Sequence, residues 1–270
     1  MKTKILAALT ILALSLSLPC ALGADKSVAS TELDALIGKI RTKLSAGQRT
    51  EADLAPELKQ FDDLLAKHKD EKTDDVAQIL LMKGVIYQQV LNDKAEGDAL
   101  MEQLQKDFPD SKQARMLKQQ AASKKLRSSL VEGAKFPEFD VKDTAGKPLS
   151  IANHKGKVVL LDFWATWCPP CRAELPNVIK TYEAYHQKGF EIIGISLDKE
   201  EQKLTSFTKE KNMAWRQYFD GLVWQNKLAV KYGINSIPAT FLLDGQGIII
   251  GHDLRGEALE QAVAKALDKK

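Results

Sequence analysis

The chain has 270 residues, 44% of them hydrophobic and 28% charged, with a formal net charge of +3. That length supports a packed core and fits one large domain or two ordinary ones. The small, interleaved charge excludes the basic footprint of a nucleic-acid-binding protein, so no nucleic-acid partner is expected.

The chain opens with Lys2 and Lys4, followed by an apolar run from Ile5 to Leu18. This run has the length of a signal-peptide core and is short for a membrane span. Ala21-Leu22-Gly23-Ala24 supplies small residues for cleavage after Gly23 or one residue later. Residues 1–24 are therefore read as a signal peptide and the protein as exported, in the periplasm. A lipid anchor on Cys20 is the weaker reading, because Pro19 precedes the cysteine where a small residue is wanted. Once Cys20 leaves with the signal, the mature chain keeps one closed pair, Cys168 and Cys171.

Residues 25–130 read as an all-α domain of helical hairpins. Leu33, Leu36, Ile37, Ile40 and Leu44 fall at helical spacing, as do Leu54, Leu58, Phe61, Leu64 and Leu65. Val76, Ile79, Leu80, Ile86, Val90 and Leu91 form a third stripe, and Leu100, Leu104 and Phe108 a fourth that ends at Pro109. A further helix is expected from Asp110-Ser111 towards Leu126. Gly84, Tyr87, Ala95, Ala99 and the Phe108-Pro109-Asp110-Ser111 ending resemble one tetratricopeptide-type hairpin. Such a region binds a protein partner, dimerises, or serves as a packed spacer.

Near residue 131 the pattern changes, marked by Gly133 and Pro137. Phe139 and Val141, then Leu149 and Ile151, alternate around an Asp143–Lys147 turn, which predicts a hairpin. Val158–Trp164 is a continuous apolar run broken only by Asp162, as in a central strand buried on both faces. A helix over 172–187 and a strand over 190–195 complete a βαβ unit. Helices over 200–211 and 226–232 follow. Two strands, 240–243 and 248–250, are joined by Asp244-Gly245-Gln246-Gly247, and a helix over 257–267 closes the chain. Residues 131–270 are thus an α/β domain with a central mixed sheet flanked by helices.

Cys168-Pro169-Pro170-Cys171 lies where strand passes into helix. The partial positive charge of a helix start favours the Cys168 thiolate. Two prolines suit the first helical positions and offer the sulfur no N–H, leaving Cys171 and Arg172 as the nearest backbone donors. A moderately acidic Cys168 is expected, nearer thioredoxin's pKa of about 7 than the value of about 3.5 of a strong oxidant. Cys168 is then the exposed nucleophile and Cys171, one turn on and less exposed, the resolving thiol. Asp162 is a costly carboxylate in an apolar strand, and such groups cluster at functional sites. It is the candidate base for Cys171. A zinc site needs two further ligands, and His68, His154, His186 and His252 are scattered, so no metal is expected.

From Val158 to Pro176 the sequence resembles the active-site stretch of thioredoxin-fold proteins, and more narrowly the exported TlpA/ResA-type thiol–disulfide oxidoreductases. The Gly133–Ile151 hairpin, Ile192–Asp198 and Tyr232–Phe241 extend the likeness over residues 131–268. The resemblance implies a thioredoxin-like enzyme needing no cofactor. It implies that Pro238 is a cis-proline facing the cysteine pair and that Ile237 pairs its backbone with substrate. It implies that Asp162 is the buried acid that deprotonates Cys171, that Glu174 is an acid beside the site, and that Trp167 lines the substrate surface. The partners it implies are disulfide-containing exported proteins and a membrane thiol donor. The leading expectation is reduction of such disulfides. Oxidation or isomerisation, with the helical domain dimerising, is the alternative. A peroxidase is disfavoured because Ala165 stands three residues before Cys168, and a non-enzymatic adaptor because Cys168, Cys171, Asp162 and Pro238 are all present.

Overall fold

The computed structural model describes residues 26–268, so the expected signal peptide and Cys20 lie outside the described residues. The chain forms two compact units, Met1–Lys118 and Gln119–Lys270.

The first unit is helical: α1 (Val28–Ser45), α2 (Glu51–Lys67), α3 (Asp74–Ile86), α4 (Lys94–Asp107) and the start of α5 (Lys112–Ser129). Each start has a chemical cause. Ser27, Thr50, Thr73 and Asp93 accept backbone N–H groups at the starts of α1 to α4, and Thr50 with Asp53 forms a reciprocal capping box. The expected stripes are the core, with Leu36, Ile40, Leu54, Phe61, Ile79, Leu80 and Leu104 all buried. Gly84 and Gly97 let α3 and α4 approach, since a Cβ on Gly97 would meet the Gly84 carbonyl at 3.1 Å. After Ile86 the chain continues as a π-helical turn, Tyr87–Leu91, which ends at Asn92 with φ 58°.

His68, at the C-terminal end of α2, is buried between two carboxylates. Its Nε2 lies 2.9 Å from Glu32 on α1 and its Nδ1 2.7 Å from Glu71. With an acceptor at both nitrogens the imidazolium is favoured, and hydrogen bonds to Glu32 and then Glu71 raise the His68 pKa. A raised histidine pKa stabilises the folded state fully below its unfolded value of about 6.5 and loses that contribution as pH rises through the folded value. The helical unit should therefore unfold more easily as pH climbs above this window. His68→Gln should flatten that part of the pH profile, measured by denaturant melts of the full chain. An unchanged profile would show that the clamp does not titrate there.

The second unit holds a two-stranded hairpin, β1 (Asp140–Lys142) with β2 (Pro148–Ser150), and a five-stranded sheet. The sheet is built from β3 (Val158–Trp164), β4 (Phe190–Ser196), β5 (Arg216–Phe219), β6 (Ala239–Leu243) and β7 (Ile249–His252) in the order β5-β4-β3-β6-β7. β3 pairs parallel to β4 and antiparallel to β6, and β6 pairs antiparallel to β7. This is the mixed sheet of a thioredoxin-like fold. Helices α6 (Pro169–Tyr185), α7 (Glu201–Glu210), α8 (Lys227–Lys231) and α9 (Glu257–Leu267) complete the unit. Every residue of β3 is buried, which is why its sequence is a solid apolar run rather than an alternating one. Phe136, Phe163, Tyr232 and Phe241 form an aromatic cluster within this core, with ring centroids 4.7 to 6.5 Å apart.

β5 lacks the apolar pattern that marks the other strands of the sheet in the sequence. Its four residues, Arg-Gln-Tyr-Phe, include two polar side chains that are used elsewhere in the fold. The Arg216 Nε donates to Asp143 at 2.7 Å, and Gln217 Oε1 accepts from the indole of Trp164 at 3.0 Å. Gly194 on β4 makes room for Gln217, because a Cβ there would strike the glutamine side chain. Among the described residues, no helix is long and apolar enough to cross a membrane.

Candidate active site

The site forms where β3 ends and α6 begins. Cys168 is the N-cap of α6, Pro169 and Pro170 fill the first two helical positions, and Cys171 is the third. The two cysteines are joined by a disulfide, with Cα atoms 5.3 Å apart. Cys171 N donates to Cys168 Sγ at 3.3 Å. The other donor anticipated from the sequence, Arg172 N, instead donates to the Cys168 carbonyl at 3.1 Å. The prolines thus leave the sulfur a single backbone donor, at the positive end of the helix.

The expected difference in exposure between the cysteines is absent: each is 3% exposed. The cause is the segment before β6, where the Ile237–Pro238 peptide is cis and Ile237 O lies 3.8 Å from Cys168 Sγ. This segment lies over the first cysteine and covers it.

Asp162 sits in the middle of β3, opposite Gly194 on β4 and Thr240 on β6. It is 4% exposed. Burial pushes its carboxyl up to about 7, partly offset by the positive charge of Arg255 and reinforced by the negative charge of Glu174. A small cavity of about 10 Å³ is lined by Asp162, Cys171, Glu174, Pro238, Thr240 and Arg255, among others. That is the least space that holds about one water molecule. The expected residues Asp162, Cys171, Glu174 and Pro238 therefore share one cavity. Glu174 also has a structural tie, because its Oε1 accepts from Gly256 N, at the start of α9, at 2.6 Å.

Trp167 is 47% exposed, and its indole N–H donates to Leu197 O at 3.3 Å. It packs edge-on to Trp224, with centroids 6.1 Å apart. Trp224 follows Val223, a β-branched residue held at φ 51°. That conformation is imposed by its surroundings. Asp220 accepts from Leu222 N, Lys227 N and the Asn226 amide, and buried Asn226 also donates to Ser196 O. Trp164, by contrast, is fully buried. Asp198, Trp224 and Arg255 were not anticipated. Asp198 accepts from both Thr166 N and Thr166 Oγ1, fastening the turn that carries Trp167 and Cys168. Among the described residues, no cluster of three or more His, Cys, Asp or Glu is placed to hold a metal ion.

Residues 133–252 match the AhpC/TSA family model. The thiol-disulfide oxidoreductase ResA of Bacillus thuringiensis subsp. konkukian is 32% identical over 137 residues, which span 51% of this chain and 77% of the relative. The chain belongs to the ResA-type thiol–disulfide oxidoreductases. The thioredoxin-like protein YneN of Bacillus subtilis is 34% identical over 128 residues, 46% of this chain and 72% of that one. A solved thioredoxin domain of a thiol-disulfide oxidoreductase from Bacteroides vulgatus is 35% identical with a TM-score of 0.47, covering 51% of this chain and 98% of that domain. Membership makes the chain an enzyme of thiol–disulfide exchange, with protein substrates and redox partners as its class of ligands. The family match leaves the helical residues before it uncovered.

Proposed function

We propose that this enzyme reduces disulfides of exported proteins through Cys168 and Cys171. The carrying observation is the small cavity that Cys171 lines together with a carboxyl poised near 7, beside a first cysteine at a helix N-terminus. In the reduced enzyme, Cys168 as thiolate attacks a substrate disulfide. One sulfur bond forms, the substrate bond breaks, and the first substrate sulfur leaves as a thiolate that takes its proton from water. Asp162 takes the Cys171 proton, and the Cys171 sulfur attacks Cys168. The mixed disulfide breaks, the second substrate sulfur leaves with the proton held by Asp162, and the enzyme holds the disulfide found here. Two electrons pass from enzyme to substrate. Return to the dithiol needs an outside donor, for which a membrane thiol protein fits. Ile237 supplies backbone polar groups and Trp167 an apolar surface to the substrate chain beside Cys168, and Pro238 sets their path. Glu174 tunes the cavity by its charge. Residues 1–24 direct export to the periplasm and are removed. The helical domain expected over residues 25–130, compact through Lys118, binds a protein partner or dimerises, and the domain expected over residues 131–270 is the catalytic one.

A reductase needs a stable disulfide in its own oxidised form. The Pro-Pro pair leaves the Cys168 thiolate one backbone donor, which limits how far the reduced form is stabilised. The reduction potential should lie nearer thioredoxin's value of about −270 mV than the value of about −120 mV of a strong oxidant. Equilibration with a graded series of thiol–disulfide buffers measures it. A value at the oxidising end would turn the proposal into an oxidase.

A further inference from the structure

Arg255 stands in the loop between β7 and α9 and takes no part in the scheme above. Its guanidinium is nevertheless committed to the site. Nη2 donates to Pro238 O at 2.7 Å, and Nη1 donates to Thr240 Oγ1 at 3.0 Å and to Leu254 O at 2.7 Å. It also lines the small cavity with Asp162, Cys171 and Glu174. The planar fork therefore spans Pro238, the residue after the cis peptide, and Thr240, the second residue of β6, which a lysine ammonium cannot do with the same geometry.

The charges around the cavity set the consequence. Glu174 faces it from α6, and Asp162 from β3. Asp253 lies 4.0 Å from the guanidinium and accepts from Thr240 N at 3.2 Å. Asp253 is also 3.7 Å from Arg127. Arg255 is the positive group lining a cavity that holds two carboxyl groups and the second cysteine.

We propose that Arg255 is a positioning residue of the exchange reaction: it holds the Pro238 segment against Cys168 and supplies the positive charge that lets Asp162 ionise beside Cys171. The inference rests on the exchange reading of the cysteine pair. It assigns Arg255 two separable effects. The fork acts on formation of the mixed disulfide, which needs Ile237 and Pro238 in place. The charge acts on release, which needs an ionised Asp162. Without the charge, the carboxyl keeps its proton to higher pH.

The test uses the full chain, reduced and mixed with a peptide disulfide, with formation and release followed separately by stopped flow across pH. In Arg255→Gln, both steps slow, and the midpoint of the release profile moves up by about one pH unit. In Arg255→Lys, the midpoint stays near that of the native enzyme while formation remains slow. A merely structural arginine would slow both steps without moving the midpoint. An unmoved midpoint in folded Arg255→Gln therefore overturns the inference and leaves the exchange reading intact. If Arg255→Gln does not fold, Arg255→Lys decides, since a native rate of formation in it overturns the role of the fork. A native chain that forms no mixed disulfide at all removes the exchange reading itself and this inference with it.

Discussion

Asp162→Asn should slow release of the mixed disulfide by about 100-fold while leaving its formation nearly unchanged. The reason lies in which sulfur the carboxyl serves. Asp162 and Cys171 share a cavity, whereas the Cys168 sulfur is set by the helix start, by Cys171 N and by Ile237 O. Asparagine keeps the shape and removes the base. The same substitution should raise stability, with a pH signature. The folded carboxyl titrates at about 7 against an ordinary value of 3.8. Between those values the folded state binds the extra proton, so its stability falls as pH rises through the window and is level above it. That window corresponds to on the order of 4 kcal/mol. The variant should match the native protein in acid and exceed it above pH of about 7. Stopped-flow kinetics and denaturant melts in acid and at alkaline pH check both halves. Equal slowing of formation and release would make Asp162 structural, and a constant stability difference across pH would show that it does not titrate in this range.

What the sequence disclosed of this site is what local pattern can carry. Cys168-Pro169-Pro170-Cys171 is contiguous, and its helix start follows from the prolines' missing N–H groups. Asp162 was visible because a carboxylate is costly in an apolar strand buried on both faces, and such groups cluster at functional sites. Pro238 was legible only through the family resemblance. The hidden features depend on distant chain segments. Burial of Cys168 comes from Ile237, 69 residues away, so sequence position at a helix start suggested exposure instead. Arg255 sits beside Gly256 in an ordinary loop, and only the fold brings its guanidinium to Pro238 and Thr240. Trp224 meets Trp167 because Asp220 and Asn226 force the intervening loop. β5 escaped notice because its Arg216 and Gln217 serve partners outside the strand and break its apolar pattern. The π turn escaped because Val90 and Leu91 continue the apolar stripe of α3 through a change of helical pitch.

Replacing Cys168 with serine should abolish disulfide reduction to the level of the uncatalysed thiol reaction. The effect is total because a hydroxyl at this position forms no disulfide, and the neighbouring sulfur cannot take its place. Both cysteines are 3% exposed, so position distinguishes them: Cys168 caps the start of α6 beside Ile237 O, whereas Cys171 is the third residue of the helix and lines the cavity with Asp162. Cys171→Ser has the opposite phenotype. It keeps the attacking thiol and lacks the resolving one, so the covalent intermediate should accumulate. The measurement that bears most directly on the account is therefore the trapping of that intermediate. Each single variant is incubated with a peptide disulfide, and the adduct is located by mass spectrometry of the digested protein. Near-complete adduct on Cys168 in Cys171→Ser and none in Cys168→Ser is the expected result. Adduct on Cys171 alone, or in neither variant, would overturn the assignment of Cys168 as nucleophile.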